Sequence, residues 1–180
     1  VVNPMKRPEV SVVIATYNRC DTLARCVRSF VAQSLDASRY EIVIADDGST
    51  DGTEAYCRSL REAVPVRYVR RAHRGRAATR NAGIGAARGE LLLFADDDLV
   101  ASPHYVEEHL RGHAVAPTAR VSVLGRCRYP ESVLGTALMK VIDSSNLILA
   151  HGSMKPGRLY DWRVYYTGVI STPRHVVEQV

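Results

Sequence analysis

The sequence has few cysteines, almost no lysine, no long apolar run and no internal repeat, and each shortage narrows what the chain is. Its four cysteines (Cys20, Cys26, Cys57 and Cys127) follow no Cys-x-x-Cys spacing and lack a nearby histidine to complete a zinc site. A disulfide scaffold and a zinc module are thereby excluded, and the thiols are expected to be reduced and structural. The longest apolar runs, such as Leu91 to Ala95, fall far short of the ~20 residues a bilayer span needs. The opening Val1-Val2-Asn3-Pro4 shows no basic-then-apolar signal pattern. A cytoplasmic protein without a transmembrane segment is expected, with peripheral membrane contact left open. No repeat, low-complexity tract or linker divides the 180 residues, which read as one domain. At 46% hydrophobic and 24% charged residues, the composition is that of a globular protein rather than a disordered or collagen-like one.

Charge is unevenly distributed in kind and in place. Lys+Arg number 24 against 19 Asp+Glu, a formal net charge of +5, yet the only lysines are Lys6, Lys140 and Lys155. Arginine suits forked contacts with phosphate. Between Glu62 and Glu90 there is no acid, while that stretch holds Arg67, Arg70, Arg71, Arg74, Arg76, Arg80 and Arg88. An anionic ligand is expected there.

What is present is an alternation of short apolar strands and amphipathic helices. Val10 to Ala15 is a β-branched run of strand length, followed by the polar turn Thr16-Tyr17-Asn18-Arg19. Asp21 then stands as an N-cap before Leu23, Cys26, Val27, Phe30 and Val31 at helical spacing. Glu41 to Ala45 predicts a second strand, Thr53 to Ala63 a helix ended by Pro65, Val66 to Val69 a third strand, Arg76 to Ala87 a helix and Glu90 to Ala95 another buried strand. Ser102-Pro103, cap then first helical residue, predicts a helix to about His113. Later signals are weaker: strands at Val121 to Leu124 and Val164 to Ser171, and an apolar helix or buried segment at Val133 to Ile142. Continuous apolar strands joined by helices predict an α/β fold, a mostly parallel central sheet flanked by helices on both faces. Ligands of such sheets sit beyond the carboxyl ends of the strands, where Thr16-Tyr17-Asn18, Asp46-Asp47-Gly48-Ser49 and Asp96-Asp97-Asp98 all fall.

Each cluster suggests a chemistry. Three adjacent carboxylates repel unless a cation or donors absorb the charge, and a hard divalent ion does so. In an extended strand end Asp96 and Asp98 point to one side and Asp97 to the other; a solvated loop with a capping acid is the bland alternative. In Asp46-Asp47-Gly48-Ser49-Thr50-Asp51-Gly52 the turn and cap explain about half the residues, and the two acids exceed that need. One of them facing the crevice accepts hydrogen bonds from a nucleobase imide or a ribose hydroxyl. His73 to Gly83 joins a glycine turn to an arginine-rich helix start, a place for a diphosphate unless it is a solvated basic face. Gly83-Ile84-Gly85-Ala86-Ala87-Arg88-Gly89 has the wrong spacing for a dinucleotide fingerprint, and it ends a helix rather than opening one.

Together VSVVIATYNR (Val10 to Arg19), VIADDGSTDGT (Val43 to Thr53) and RGRAATRNAGIGAARGELLLFADDD (Arg74 to Asp98) closely resemble the nucleotide-sugar-binding half of family 2 glycosyltransferases with the Rossmann-like GT-A fold. The resemblance implies that Thr16 and Tyr17 line the base, that Asp47 with Asp46 beside it reads the base, and that Arg80 contacts the nucleotide; Asn18 and Arg76 are expected in the same nucleotide-sugar-binding set. It further implies that Asp96 and Asp97 meet ribose and diphosphate, and that Asp98, with Asp96, binds Mn²⁺ or Mg²⁺. Residues of about 8–115 would form the nucleotide-sugar and metal-binding half of a single domain, and about 116–180 an acceptor-side half incomplete at its C-terminus. Tyr166-Thr167-Gly168-Val169-Ile170-Ser171-Thr172-Pro173-Arg174 is similar to the family's acceptor-side segment, with Val169 where Asn is common. The Glu-Asp pair that supplies the family's base would follow it, but this chain stops at Val180.

A metal-dependent, inverting transfer from a UDP- or dTDP-linked sugar to a hydroxyl acceptor is therefore expected. Breaking the anomeric bond requires neutralisation of the leaving diphosphate, and inversion requires a general base beside the acceptor. Asp161 is the in-chain substitute for that base, unless it is an ordinary surface acid. His151 stands as a further metal or phosphate ligand or a plain loop histidine, and Trp162, Tyr165 and Tyr166 either stack on an acceptor sugar or pack. The alternatives are a catalytically silent nucleotide-sugar-binding module and a related nucleotidyltransferase, which fits Asp46-Asp47-Gly48-Ser49 poorly. A nucleic-acid partner is not expected, because the cations lie against an acidic site.

Overall fold

Period-two alternation in the strands decides the architecture. The computed structural model describes residues 7–116, 118–144, 154–155 and 157–179. In β1 (Val10–Thr16), Val10, Val12 and Ile14 point to one face and Val13 to the other, and nearly every residue is buried. The neighbours β2 (Tyr40–Asp46) and β4 (Leu91–Asp96) divide in the same way. Two apolar faces demand two helical covers. On one side lie α1 (Cys20–Val31), α2 (Thr53–Ser59) and α4 (Tyr105–Ala114), with Phe30, Leu23, Val27 and Val106 packed on Val12, Ile14, Ile42 and Leu93. Full burial of side chains such as Leu93 contributes about 1.5–3 kcal/mol each. The other side carries α3 (Arg76–Ala86) and the short α6 (Arg174–Val177), over Val13, Val43, Leu92, Phe94 and Ile170. A Cβ on Gly83, in the middle of α3, would lie 2.7 Å from Val13 Cγ1, so the helix seats this close only because residue 83 is glycine.

With β3 (Val66–Arg70), β5 (Val123–Leu124) and β6 (Val169–Pro173), the sheet runs in the order β3-β2-β1-β4-β6-β5. The first four strands are parallel, β6 is antiparallel to β4, and β5 is antiparallel to β6. The sheet is thus mixed, with a strand from the C-terminal third inserted directly beside the central β4.

Several boundaries differ from the expectation, each for a local reason. Helix α1 starts at Cys20 with Arg19 at its cap position, so Asp21 lies in the first turn. The carboxylate that accepts the Cys20 N–H is Asp51, from the loop after β2, at 3.1 Å. Helix α4 starts at Tyr105, since the Ser102 carbonyl accepts the Tyr105 N–H in a turn and the Pro103 carbonyl accepts the Ser34 N–H. Helix α2 ends at Ser59, four residues early. The apolar stretch after Val133 is helical only over α5 (Ala137–Ser144), because residues 130–134 form a turn on the Pro130 carbonyl. A 3₁₀ turn at Trp162–Val164 replaces the start of the expected strand, which begins at Val169. None of the four cysteines forms a disulfide.

Candidate functional site

The carboxyl ends of β1, β2 and β4 open onto one cleft of about 450 Å³. It is lined by residues from four separate parts of the chain: Ala15 to Tyr17 with Arg19; Asp47; His73, Gly75, Arg76 and Thr79; and Asp96 to Asp98. The three polar clusters of the sequence therefore converge.

The acid triplet is held asymmetrically. Asp97 is buried, its Oδ2 accepting the Thr16 hydroxyl at 2.8 Å and its Oδ1 an Arg19 Nη1 proton at 2.8 Å. Burial pushes its carboxyl above the ordinary range, opposed by Thr16 and Arg19 and reinforced by Asp98 and Asp96. Asp98 is exposed and pairs with Arg19 Nη2 at 3.0 Å. Asp96, half exposed, lies 3.5 Å from Arg80 Nη2 through Oδ1, and its backbone N–H donates to the Gly168 carbonyl. A Cβ on Gly168 would stand 2.3 Å from Asp96 Oδ2, so this glycine gives the carboxylate its room. All three acids border the cleft, whereas alternation alone assigned Asp97 to the far side.

The acids after β2 separate. Asp46 is fully buried and saturated: Oδ1 accepts the Ser49 N–H and hydroxyl, and Oδ2 accepts the Tyr68 hydroxyl at 2.6 Å. It does not line the cleft; it ties the turn to β3. Asp47 does line it, accepting the Arg74 N–H at 2.9 Å and the Gly75 N–H at 2.8 Å, with His73 Nδ1 2.9 Å from Oδ2. Burial disfavours its charge, but the Arg74 N–H, the Thr79 hydroxyl, the Gly75 N–H and His73 outweigh that and hold the carboxyl below the ordinary range. Asp47 is thus the anchor of the 73–75 loop. His73 in turn stacks on Tyr17, ring centroids 4.3 Å apart, and the two rings form an aromatic wall of the cleft.

Other expected residues lie outside the cleft lining. Asn18 adopts φ 50°, a left-handed conformation Asn tolerates, and clasps the loops after β1 and β2. Its N–H donates to Ser49 Oγ and its Oδ1 accepts the Thr50 N–H. Arg80 stands behind Asp96, and burial lowers its pKa against the pull of that carboxylate. Of the arginines in the acid-free stretch only Arg76 borders the cleft. Arg67 and Arg70 belong to β3 and pair with Glu41 and with Asp46 and Glu54, so the stretch is no single phosphate cradle. Asp161 is exposed, paired with Arg163 and away from the cleft. The Tyr165 hydroxyl is 2.7 Å from Thr172 Oγ1. His151 and the Trp162 side chain lie outside the described residues.

Arg19 lines the cleft without having been named as a site residue, and His73, Gly75 and Thr79, within the stretch offered to a diphosphate, line it as well. Thr79 faces Gly75, its hydroxyl donating to that carbonyl at 3.0 Å. The signal available for Arg19 was its place one residue beyond the Thr16-Tyr17-Asn18 cluster. Among the described residues no three His, Cys, Asp or Glu side chains converge as a ready-made metal cage. Asp96 and Asp98 instead offer hard oxygen donors at an open edge, which suits an ion that takes one or two carboxylates and fills its shell with water and phosphate.

Comparison with known proteins agrees with this geometry. Residues 11–163 match the profile described as Glycosyl transferase family 2. Validoxylamine A glucosyltransferase of Streptomyces hygroscopicus subsp. jinggangensis (strain 5008) is 39% identical over 122 residues, 67% of this chain and 29% of that protein. Chondroitin synthase of Escherichia coli is 27% identical over 166 residues, 86% of this chain and 24% of that protein. Among solved structures, the mannosyltransferase PcManGT from Pyrobaculum calidifontis in complex with GDP-Man and Mn²⁺ superposes with a TM-score of 0.74 at 21% identity, covering 98% of this chain and 48% of that one. TarS 1–349 of S. aureus in complex with UDP-GlcNAc reaches 0.59 at 22% identity, covering 68% and 37%. This chain spans less than half the length of each of these proteins. Sheet order, cleft position and the match over residues 11–163 lead to one assignment: the chain belongs to glycosyl transferase family 2 and has its GT-A fold.

Proposed function

We propose that this chain is the donor-binding part of a glycosyltransferase that moves a sugar from a UDP- or dTDP-linked donor to a hydroxyl acceptor. Residues of about 8–115 would hold the donor, and about 116–180 would begin the acceptor side of the same domain. The observation that carries the reading is the convergence of Thr16, Tyr17, Asp47, Arg76 and Asp96 to Asp98 on one cleft at the carboxyl ends of parallel strands. Tyr17 and His73 offer a stacking surface for a base. Asp47 positions the 73–75 loop against it, and Arg76 at the start of α3 faces the diphosphate. Asp98 and Asp96 would hold a divalent ion, whose chemistry is to neutralise the leaving diphosphate. Arg80 keeps Asp96 oriented, and Thr16 with Arg19 keeps Asp97 fixed.

A second reading has an observation of its own. Among the described residues the only acids on the cleft are Asp47 and Asp96 to Asp98, all engaged in binding geometry, while Asp161 lies elsewhere. The described residues by themselves thus suit donor binding without a base for inversion. One experiment addresses both readings. UDP with Mn²⁺ should raise the melting temperature, more than GDP does, and Asp98→Ala should abolish the shift; an equal shift without metal rejects the metal assignment. With labelled donor, slow hydrolysis or transfer marks an enzyme, and binding without turnover marks the silent module.

A further inference from the structure

Arg19 makes a contact that the donor reading leaves unexplained. Its fork spans two carboxylates, Nη1 on Asp97 Oδ1 at 2.8 Å and Nη2 on Asp98 Oδ2 at 3.0 Å. The two limbs have unlike surroundings. The Asp97 side chain is 6% exposed and also holds the Thr16 hydroxyl, so that limb ends on a fixed, buried group. The Asp98 side chain is 56% exposed, and Arg19 itself is 44% exposed, so the second limb is an open surface pair. Ion pairs of the second kind are readily exchanged, since water and other ions compete for both partners. Three consecutive carboxylates nevertheless need a positive charge beside them, and Arg19 is the cation in direct contact with two of the three.

We propose that Arg19 is an internal counter-cation that competes with a divalent ion for Asp98. An ion on Asp98 sets a second positive charge against Nη2 and draws on the same carboxylate charge, which favours Nη2 leaving while Nη1 stays on Asp97. The guanidinium is rigid and planar, so a small rotation about its buried limb breaks the exposed contact without dismantling the cleft. Arg19 then sets the metal affinity of the site in the absence of donor. It offsets part of the triplet's charge when metal is scarce and yields one carboxylate when metal is present. The released limb borders the same cleft as Arg76, where a diphosphate gives it a new anionic partner, so donor and metal favour one another's binding. This inference rests on the reading of Asp98 as a metal ligand.

The test is a Mn²⁺ titration of the chain followed by the electron paramagnetic resonance signal of free Mn²⁺, with and without UDP. Arg19→Gln should bind Mn²⁺ about five-fold more tightly than the parent without nucleotide, because the competing limb and its positive charge are gone. Arg19→Lys, which keeps the charge but not the fork, should fall between, and it carries the test if Arg19→Gln does not fold. Asp98→Asn should bind weakly whichever residue stands at position 19. Binding by the variants that is no tighter than the parent's overturns the exchange and leaves the donor reading intact. If the parent binds no Mn²⁺ even with UDP, the metal-site reading and this inference fall together.

Discussion

Asp46 and Asp47 are adjacent, chemically identical and structurally opposite. Successive residues at a strand end turn their side chains to opposite sides, so Asp46 is sealed under Ser49 and Tyr68 while Asp47 reaches the 73–75 loop. An amide at position 47 would replace two oxygen acceptors by one and turn an NH₂ toward peptide N–H groups. Asp47→Asn is therefore expected to cost about 1–3 kcal/mol at neutral pH and to weaken nucleotide binding by loosening His73 and Arg76. The pH dependence has a definite sign. The folded-state pKa is lowered, so the stabilisation is complete above the unfolded value of ~3.9 and fades as pH falls below it. The difference between parent and variant in urea denaturation should shrink on acidification; a constant difference would mean that the charge is not involved. The sequence disclosed that two acids exceeded the needs of the turn. Which of them faced the cleft was hidden, because the partners of Asp47 lie 27 and 28 residues away.

Among the elements, α3 shows how a helix's fit is decided by one residue. Gly83 and Gly85 sit two positions apart on that helix. A Cβ at 83 runs into Val13, and one at 85 meets nothing within 4 Å. Gly83→Ala should therefore destabilise by about 1–3 kcal/mol through overpacking, while Gly85→Ala should stabilise by about 0.5–1 kcal/mol through helix propensity. Urea midpoints of the two variants moving in the same direction would contradict the seating described for α3. The strands were legible because β1, β2 and β4 are buried on both faces and read as uninterrupted apolar runs. The helix starts were less so. The carboxylate on the Cys20 N–H comes from Asp51, and the Pro103 carbonyl that delays α4 is engaged by Ser34. Both are tertiary contacts without a local signal. The described residues between 116 and 168 form shorter, more exposed elements, which leaves little periodicity to read.

At the scale of the whole molecule, α4 is tied to β6, on the face of the sheet it covers, through a buried hydroxyl. His109 Nδ1 and His113 Nε2 lie 2.7 and 2.9 Å from Ser171 Oγ on β6. Burial, then the neighbouring His113, lowers the His109 pKa to about 3, so the folded chain keeps it neutral. Burial also lowers that of His113. An unfolded histidine takes its proton near pH 6.5. The contribution of His109 is thus complete above about pH 6.5 and is lost toward pH 3, by up to about 1.4 kcal/mol per pH unit. Urea midpoints between pH 7.5 and 5 should fall for the parent and fall less steeply for His109→Gln; parallel slopes would exclude this histidine as the source. The net charge of +5 has a related lesson. With the acid-free arginine stretch it suggested one place for an anionic ligand, but the arginines are dispersed over β3, the cleft and the support of Asp96. The insertion of β6 beside β4 also decides how this polypeptide can be divided. Both apolar faces of β4 are covered, and its free edge is closed only by residues 169–173. Severed near residue 116, the chain would retain every donor-side motif but expose a fully apolar edge strand, the geometry most prone to self-association, and would leave the Asp96 N–H without its Gly168 acceptor. The motifs of the proposed donor site are contiguous, but the strand that closes their sheet lies beyond them.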